Sequence, residues 1–296
     1  MDSSGETMTQ DYVMLNNRLI PRSEASISID DTGFLYGFGA YDTILALNGR
    51  PLFMEDHVKR LNDSIIGLRV LKKGFETQEV FSQVVKLLAA NRYKNARVRI
   101  TVTKGELALA MIHMESPNMT YLITATPLPD DYYHQNIKPL RLLISQYIRN
   151  HPRAIPSSLK LTNLANHIFA SMEAKEKNYD DGLMINYEGY LSEGSSFNIF
   201  FIKGAKVFTP RLDIGILPGI TRSVLLKLFQ DKGIPCEEGF YKPEDLYEAD
   251  EAFATSSVRG IVPIVQVNDA MIKTGEQSER IQRYYHEHLK VQSKLP

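Results

Sequence analysis

The chain has 296 residues, with 34 Lys plus Arg against 35 Asp plus Glu, a balance that gives no basis for a nucleic-acid or polyanion partner. Its single cysteine, Cys236, excludes an internal disulfide framework and fits a reducing compartment. No apolar run reaches the roughly 18–20 residues of a membrane span, and the length exceeds the usual single domain, so a soluble, cytoplasmic, two-domain protein is expected.

Met1 to Gln10 is polar and small, lacks the apolar core of a signal peptide, and is expected to be a disordered tail. Tyr12 to Leu15, an Asn16-Asn17 turn and Leu19-Ile20 read as a hairpin. Tyr41 to Leu47, Asn48-Gly49 and Pro51 to Phe53 read as a stronger one, because Asn-Gly supplies the positive φ values of a type I′ turn. Val58, Leu61, Ile65 and Leu68 recur at helical spacing, with Gly74 just beyond the expected end. Val80, Val84, Leu87 and Leu88 mark a second helix. Arg97 to Thr103 alternates as a strand, and Met119 to Thr126 forms another. Pro127 to Gln135 breaks the pattern with Pro127, Pro129, Asp130 and Asp131 and reads as an interdomain linker. It separates a small N-terminal α/β domain, 1–126, from a large C-terminal domain, 136–296. The latter is predicted to hold a strand at Leu140 to Ser145 and a helix from about Thr162 to Tyr179. Strands at Gly182 to Asn186 and Phe197 to Ile202 follow, and a helix comes after Gly219.

Two strings in this second part carry chemistry. One is Leu159-Lys160-Leu161-Thr162-Asn163; the other is Gly189-Tyr190-Leu191-Ser192-Glu193-Gly194-Ser195-Ser196-Phe197-Asn198. A lone lysine is usually solvated, and a lone glutamate in a turn is usually structural. A lysine able to form an imine, followed by a carboxylate able to hold a pyridinium proton, is what pyridoxal-phosphate chemistry requires. Phosphate needs donors and positive charge. Gly219-Ile220-Thr221 offers a helix N-terminus and a hydroxyl, Thr255-Ser256-Ser257 offers hydroxyls, and Arg60 in His57-Val58-Lys59-Arg60-Leu61 offers a guanidinium. Arg97 and Arg99 share a strand face and could hold a substrate carboxylate. Tyr36, Tyr41 and Thr43 lie in Tyr36-Gly37-Phe38-Gly39-Ala40-Tyr41-Asp42-Thr43. Core packing is the ordinary alternative for the tyrosines, and a solvated strand face for the arginines.

In their order and joint presence, from about Asp31 to Asp269, these segments resemble the class IV aminotransferases, the fold-type IV pyridoxal-phosphate family. That family includes branched-chain aminotransferases, D-amino-acid aminotransferases and aminodeoxychorismate lyase. The resemblance implies an α+β, two-domain D-amino-acid aminotransferase-like fold, pyridoxal 5′-phosphate as cofactor, no metal, and a homodimer. It implies Lys160 as the Schiff-base lysine and proton shuttle, and Glu193 as the partner of the pyridine N–H. Arg60, Ser195, Ser196, Asn198, Ile220, Thr221, Ser256 and Ser257 are then cofactor contacts, and Tyr36, Tyr41, Thr43, Arg97 and Arg99 face the substrate. The implied reaction is ping-pong transfer, through a Lys160 imine, of an amino group from a D-amino acid or a branched-chain L-amino acid to a 2-oxo acid such as 2-oxoglutarate or pyruvate. The alternative is elimination of pyruvate by an aminodeoxychorismate lyase. The chain departs from each subfamily. Gly105-Glu106-Leu107-Ala108 stands where D-amino-acid enzymes carry Arg-x-His, and Leu164 stands where branched-chain enzymes carry tyrosine. The glycine-rich loop of the branched-chain enzymes is missing. Thr43 resembles the lyase's pocket threonine, yet Arg99 replaces its lysine. His286-Glu287-His288 reads as part of a solvated polar helix rather than a metal site.

Overall fold

A computed structural model of the chain describes residues 11–114, 118–132 and 137–294. The expected tail, 1–10, and the last residues of the expected linker, 133–135, lie outside the described residues. The chain divides into two compact units, Met1–Asp130 and Asp131–Pro296. The strand that ends the first unit runs to Leu128, so Pro127 pairs with Ala96 instead of opening a linker.

The first unit begins with the hairpin β1 (Tyr12–Leu15) and β2 (Arg18–Pro21), turned by Asn16 and Asn17 at φ 49° and 65°. A short helix, α1 (Thr32–Tyr36), is capped by Asp31, whose side chain accepts from the Gly33 N–H. Then come β3 (Gly39–Leu47) and β4 (Arg50–Pro51), turned at Asn48 and Gly49 with φ 51° and 74°, the two positive values a type I′ turn needs. Helices α2 (Met54–Gly67) and α3 (Thr77–Asn91) precede strands β5 (Asn95–Thr103) and β6 (Thr120–Leu128). The six strands form an antiparallel sheet in the order β2-β1-β6-β5-β3-β4. One face of it buries Ala40, Ile44, Val98, Ile100, Val102 and Ile123 against Val58, Leu61 and Ile65 of α2 and Val80, Val84 and Leu87 of α3. Helix α2 ends at Gly67, and Arg69 takes the left-handed conformation at φ 56°. Gly74 is therefore not its cap. It packs on the helix instead, where a Cβ would meet the Asn62 side chain at 2.2 Å.

The second unit is built on a nine-stranded mixed sheet. Its elements in chain order are β7 (Leu140–Ile144), α4 (Ala165–Glu176), β8 (Asp181–Ile185), β9 (Leu191–Gly194), β10 (Asn198–Lys203) and β11 (Lys206–Pro210). After these come α5 (Ile220–Lys232), β12 (Cys236–Gly239), α6 (Pro243–Tyr247), β13 (Glu251–Ser256), β14 (Gly260–Val267), β15 (Ala270–Met271) and α7 (Glu276–Lys294). The order is β12-β11-β10-β13-β14-β7-β8-β9, with β15 paired to β14. Strand β7 is parallel to both β14 and β8, and β11 is parallel to β12. Helix α4 is shorter than its pattern predicts at both ends. Residues 160–164 are irregular apart from a bridge at Leu161, and Asn178 leaves the helix in the left-handed region at φ 63°.

Candidate active site

Glu193 is the hub of the second unit. It lies on β9, 4% exposed, and its carboxylate gathers groups from four other places. Arg149, in the segment after β7, donates from Nε to Oε1 at 2.7 Å. His167, in the first turn of α4, brings Nε2 to 3.8 Å from the same oxygen. The Leu217 N–H donates to Oε2 at 3.0 Å, and Asn198 Nδ2 on β10 lies 3.4 Å from it. Burial alone would raise the Glu193 carboxyl; the contact from His167, the Arg149 guanidinium and the Leu217 N–H reverse this and hold it below the ordinary glutamate range. The result is a buried carboxylate kept as an anion, able to accept from a protonated ring nitrogen.

The same bonds order the neighbouring segments. Asn198 Nδ2 also donates to the Leu217 carbonyl at 3.0 Å, so the stretch leading into α5 is fixed against the carboxylate. Gly219 caps that helix, and its missing side chain is required: a Cβ there would stand 2.0 Å from Asn198 Oδ1. Ile220 and Thr221 then open a 13-residue helix whose first N–H groups face no side-chain cap. The buried Thr221 hydroxyl lies 3.4 Å from the Tyr285 hydroxyl of α7. Across the β10–β13 pairing Asn198 stands opposite Thr255, whose buried Oγ1 meets no partner among the described residues. Ser256 ends β13 and accepts from the Arg259 N–H at 3.4 Å, and half-buried Ser257 lies in the turn that follows. Helix start, hydroxyls and an unpartnered buried oxygen are a donor set suited to a phosphate.

Lys160 is half-buried in the irregular segment, five residues before the start of α4. Ser195 of the glutamate string turns its hydroxyl to Asp181 Oδ2 at 2.7 Å, and Ser196 is exposed. An amine, an anion for a ring nitrogen and a phosphate donor set are the three holds that pyridoxal phosphate needs. All three occur in this unit.

The first unit sorts its predicted residues onto two faces of one sheet. Arg60 is on the packed face. It is 7% exposed and grips the fully buried Asp42 with two bonds, Nε to Oδ2 at 2.9 Å and Nη2 to Oδ1 at 2.8 Å. His57 Nδ1 shares Asp42 Oδ1 at 2.8 Å. Burial would raise the Asp42 carboxyl; Arg60 and His57 instead hold it far below the usual carboxylate range. Arg99 is on the other face. Its guanidinium carbon lies 3.7 Å from the centre of the Tyr41 ring, and Nε donates to Thr101 Oγ1 at 3.2 Å. Burial pushes the Arg99 guanidinium down, with Tyr41 opposing. Thr43 stands directly opposite Arg99 in the register, so Tyr41, Thr43, Arg97 and Arg99 share this face. Arg97 is exposed and Arg99 only partly so. Tyr36, at the end of α1, is 44% exposed.

Sequence reasoning missed Arg149, His167, Asp42 and His57. For His57 a signal was available, since His-x-x-Arg places both side chains on one face of a helix, where they can share a carboxylate. Nothing local marks Arg149, which meets Glu193 only through the fold.

The model of the family described as amino-transferase class IV matches residues 39–267. An aminodeoxychorismate lyase of Bacillus subtilis is 29% identical over 94% of this chain and 94% of its own. A D-alanine aminotransferase of Bacillus licheniformis is 27% identical over 89% of this chain and 90% of its own. Among solved structures, the branched-chain aminotransferase of Thermoproteus uzoniensis with norvaline has a TM-score of 0.88 and 28% identity, covering 96% of both chains.

Proposed function

We propose, from the premise that this chain belongs to the class IV aminotransferases, that it moves an amino group between an amino acid and a 2-oxo acid by a ping-pong route. The donor is a branched-chain L-amino acid or a D-amino acid, and the acceptor is an acid such as 2-oxoglutarate or pyruvate. Pyridoxal 5′-phosphate is the cofactor of these enzymes, and when bound it supplies an electron sink for the carbon that loses its proton. Lys160 Nζ is assigned to hold the cofactor aldehyde and to carry the substrate's α-proton. Glu193 is assigned to keep the ring nitrogen protonated. The start of α5 at Ile220 and Thr221, with Ser256 and Ser257, is assigned to the phosphate. Arg99, backed by Tyr41, is assigned to the substrate carboxylate, with Thr43 beside it and Tyr36 and Arg97 at the margin. A second copy of the chain is the proposed partner.

The observation that carries this reading is Glu193, a carboxylate buried inside a unit yet held ionised by Arg149 and a backbone N–H. A buried anion with such support is costly to keep without a use for the charge. The lyase reading has its own support in the Bacillus subtilis relative. One experiment separates them. The purified, cofactor-loaded protein is offered both enantiomers of each amino donor with 2-oxoglutarate or pyruvate, and aminodeoxychorismate in a separate assay. Transfer to the 2-oxo acid is expected with one enantiomeric series. Pyruvate release from aminodeoxychorismate without any transfer would replace the transaminase reading with the lyase.

A further inference from the structure

We propose that His167 is a positioning residue for Glu193, a strut that fixes this carboxylate relative to the segment carrying Lys160. The inference rests on the reading of Glu193 as the holder of the cofactor's ring nitrogen. Arg149, Asn198 and the Leu217 N–H reach Glu193 from the segment after β7, from β10 and from the stretch before α5. Of these, Arg149 alone shares the Lys160 segment, eleven residues before the lysine; His167 stands seven residues after it, on the helix that the segment runs into.

That segment has no regular structure of its own between Ile144 and Ala165. The place where α4 begins therefore sets where Lys160 can lie. No side chain caps α4. Its first turn is pinned at two other points. Asn166 Nδ2 donates to the Ile148 carbonyl at 3.3 Å, one residue before Arg149, and His167 reaches the very carboxylate that Arg149 grips. Two adjacent side chains of one turn thus reach the backbone beside Arg149 and the carboxylate that Arg149 holds.

The imidazole has little else to do. Its side chain is 12% exposed, and Nδ1 is buried with no partner among the described residues. The contact with a carboxylate is attractive only if Nε2 carries a hydrogen. The part of the ring that matters is thus the atom farther from the backbone. Glutamine can present an amide N–H at about that reach, whereas asparagine ends near the position of Nδ1. This difference in reach separates a polar strut from a space-filling ring.

The test compares His167→Gln, His167→Asn and His167→Phe with Glu193→Gln and with the His167→Asn/Glu193→Gln double variant. Cofactor is removed, and each protein is titrated with pyridoxal phosphate; kcat and KM are then measured with the amino donor found in the screen. His167→Asn and His167→Phe are expected to raise the half-saturating cofactor concentration and to lower kcat, each on the order of 10-fold, as is typical when a residue that orients a ligand-binding group is lost. KM for the amino donor should stay unchanged, because Glu193 addresses the ring and not the substrate carboxylate. His167→Gln should restore both quantities to within about 3-fold of the parent, and His167→Asn should add little in the Glu193→Gln background. Melting of the cofactor-free variants checks folding, and if His167→Phe fails to fold, the Gln–Asn comparison decides alone. Parent-like cofactor affinity in His167→Asn, or equal damage in His167→Gln and His167→Asn, overturns the proposal. Parent-like behaviour of Glu193→Gln would instead overturn the reading of Glu193 on which it rests.

Discussion

Glu193→Gln tests whether the charge at the centre of the second unit is structural as well as chemical. Glutamine has the same shape, but one oxygen becomes an amide nitrogen, and every group around it is a donor. If the nitrogen takes the Oε2 place it meets the Leu217 N–H and Asn198 Nδ2; if it takes the Oε1 place it meets Arg149 and His167. The first orientation strands a backbone N–H and costs about 1–3 kcal/mol. Either orientation removes the negative charge opposite Arg149, whose side chain is 6% exposed, and breaking a buried pair in this way costs about 3–5 kcal/mol. A loss of about 3–5 kcal/mol is therefore expected at neutral pH, measured on cofactor-free protein by hydrogen exchange at the amides of β8, β9 and β10. Exchange localises the effect, which a single melting curve of a two-unit chain does not. The sign with pH follows from the lowered carboxyl. Its contribution is complete above the unfolded value of about 4.3 and is lost as pH falls through the folded value. The gap between parent and variant should thus be widest near neutrality and close in acid. In loaded enzyme the same variant should keep cofactor when it is saturating and lose about 10²–10⁴-fold in turnover. A stability loss under about 1 kcal/mol, or a gap that does not change with pH, would refute the account of a buried anion held by its donors.

Borohydride reduction of the loaded protein should fix the cofactor on Lys160, read by peptide mass mapping; label on another lysine would sink the assignment. Asp42→Asn should destabilise the first unit by about 3–5 kcal/mol, because it leaves Arg60 buried without its anion, and hydrogen exchange in α2 and β3 would show it. Because Asp42 is held low, the stability it supplies is present above about pH 4 and disappears in acid, so a neutral-pH effect under 1 kcal/mol would count against the pair. Arg99→Ala should cost roughly 2–5 kcal/mol in kcat/KM for amino acids, mostly through KM, and much less for simple amines without a carboxylate. Equal losses for both classes would return Arg99 to an ordinary strand face.

Local chemistry made much of the first unit readable. Asn16-Asn17 and Asn48-Gly49 are turns because these residues accept positive φ, and the structure uses them so. Val58, Leu61 and Ile65 are buried on α2 because a helix repeats every 3.6 residues. The start of α4 was not readable, since it is pinned by Asn166 and His167 through partners at positions 148 and 193 rather than by a cap. Glu193 was marked by its string, but not as a strand residue. It lies in a four-residue strand whose pairing with β8 is irregular, and so short an element leaves little periodicity to detect. In the candidate site the residues visible in strings were those with unusual neighbours in sequence. Arg149 and Asp42 were invisible because their significance is entirely tertiary.

The alternation along β3 and β5 separates what may vary from what may not. Residues 40, 42, 44, 98, 100 and 102 point to the packed side, where Asp42 and the apolar core tolerate little change. Residues 41, 43, 97, 99 and 101 point to the other, which carries no part of that core. A combinatorial library confined to Tyr41, Thr43, Arg97, Arg99 and Thr101 would redraw that surface while keeping the scaffold intact. Inheritance has the same latitude: point changes at alternate positions could alter that surface with no intermediate that must first lose its fold.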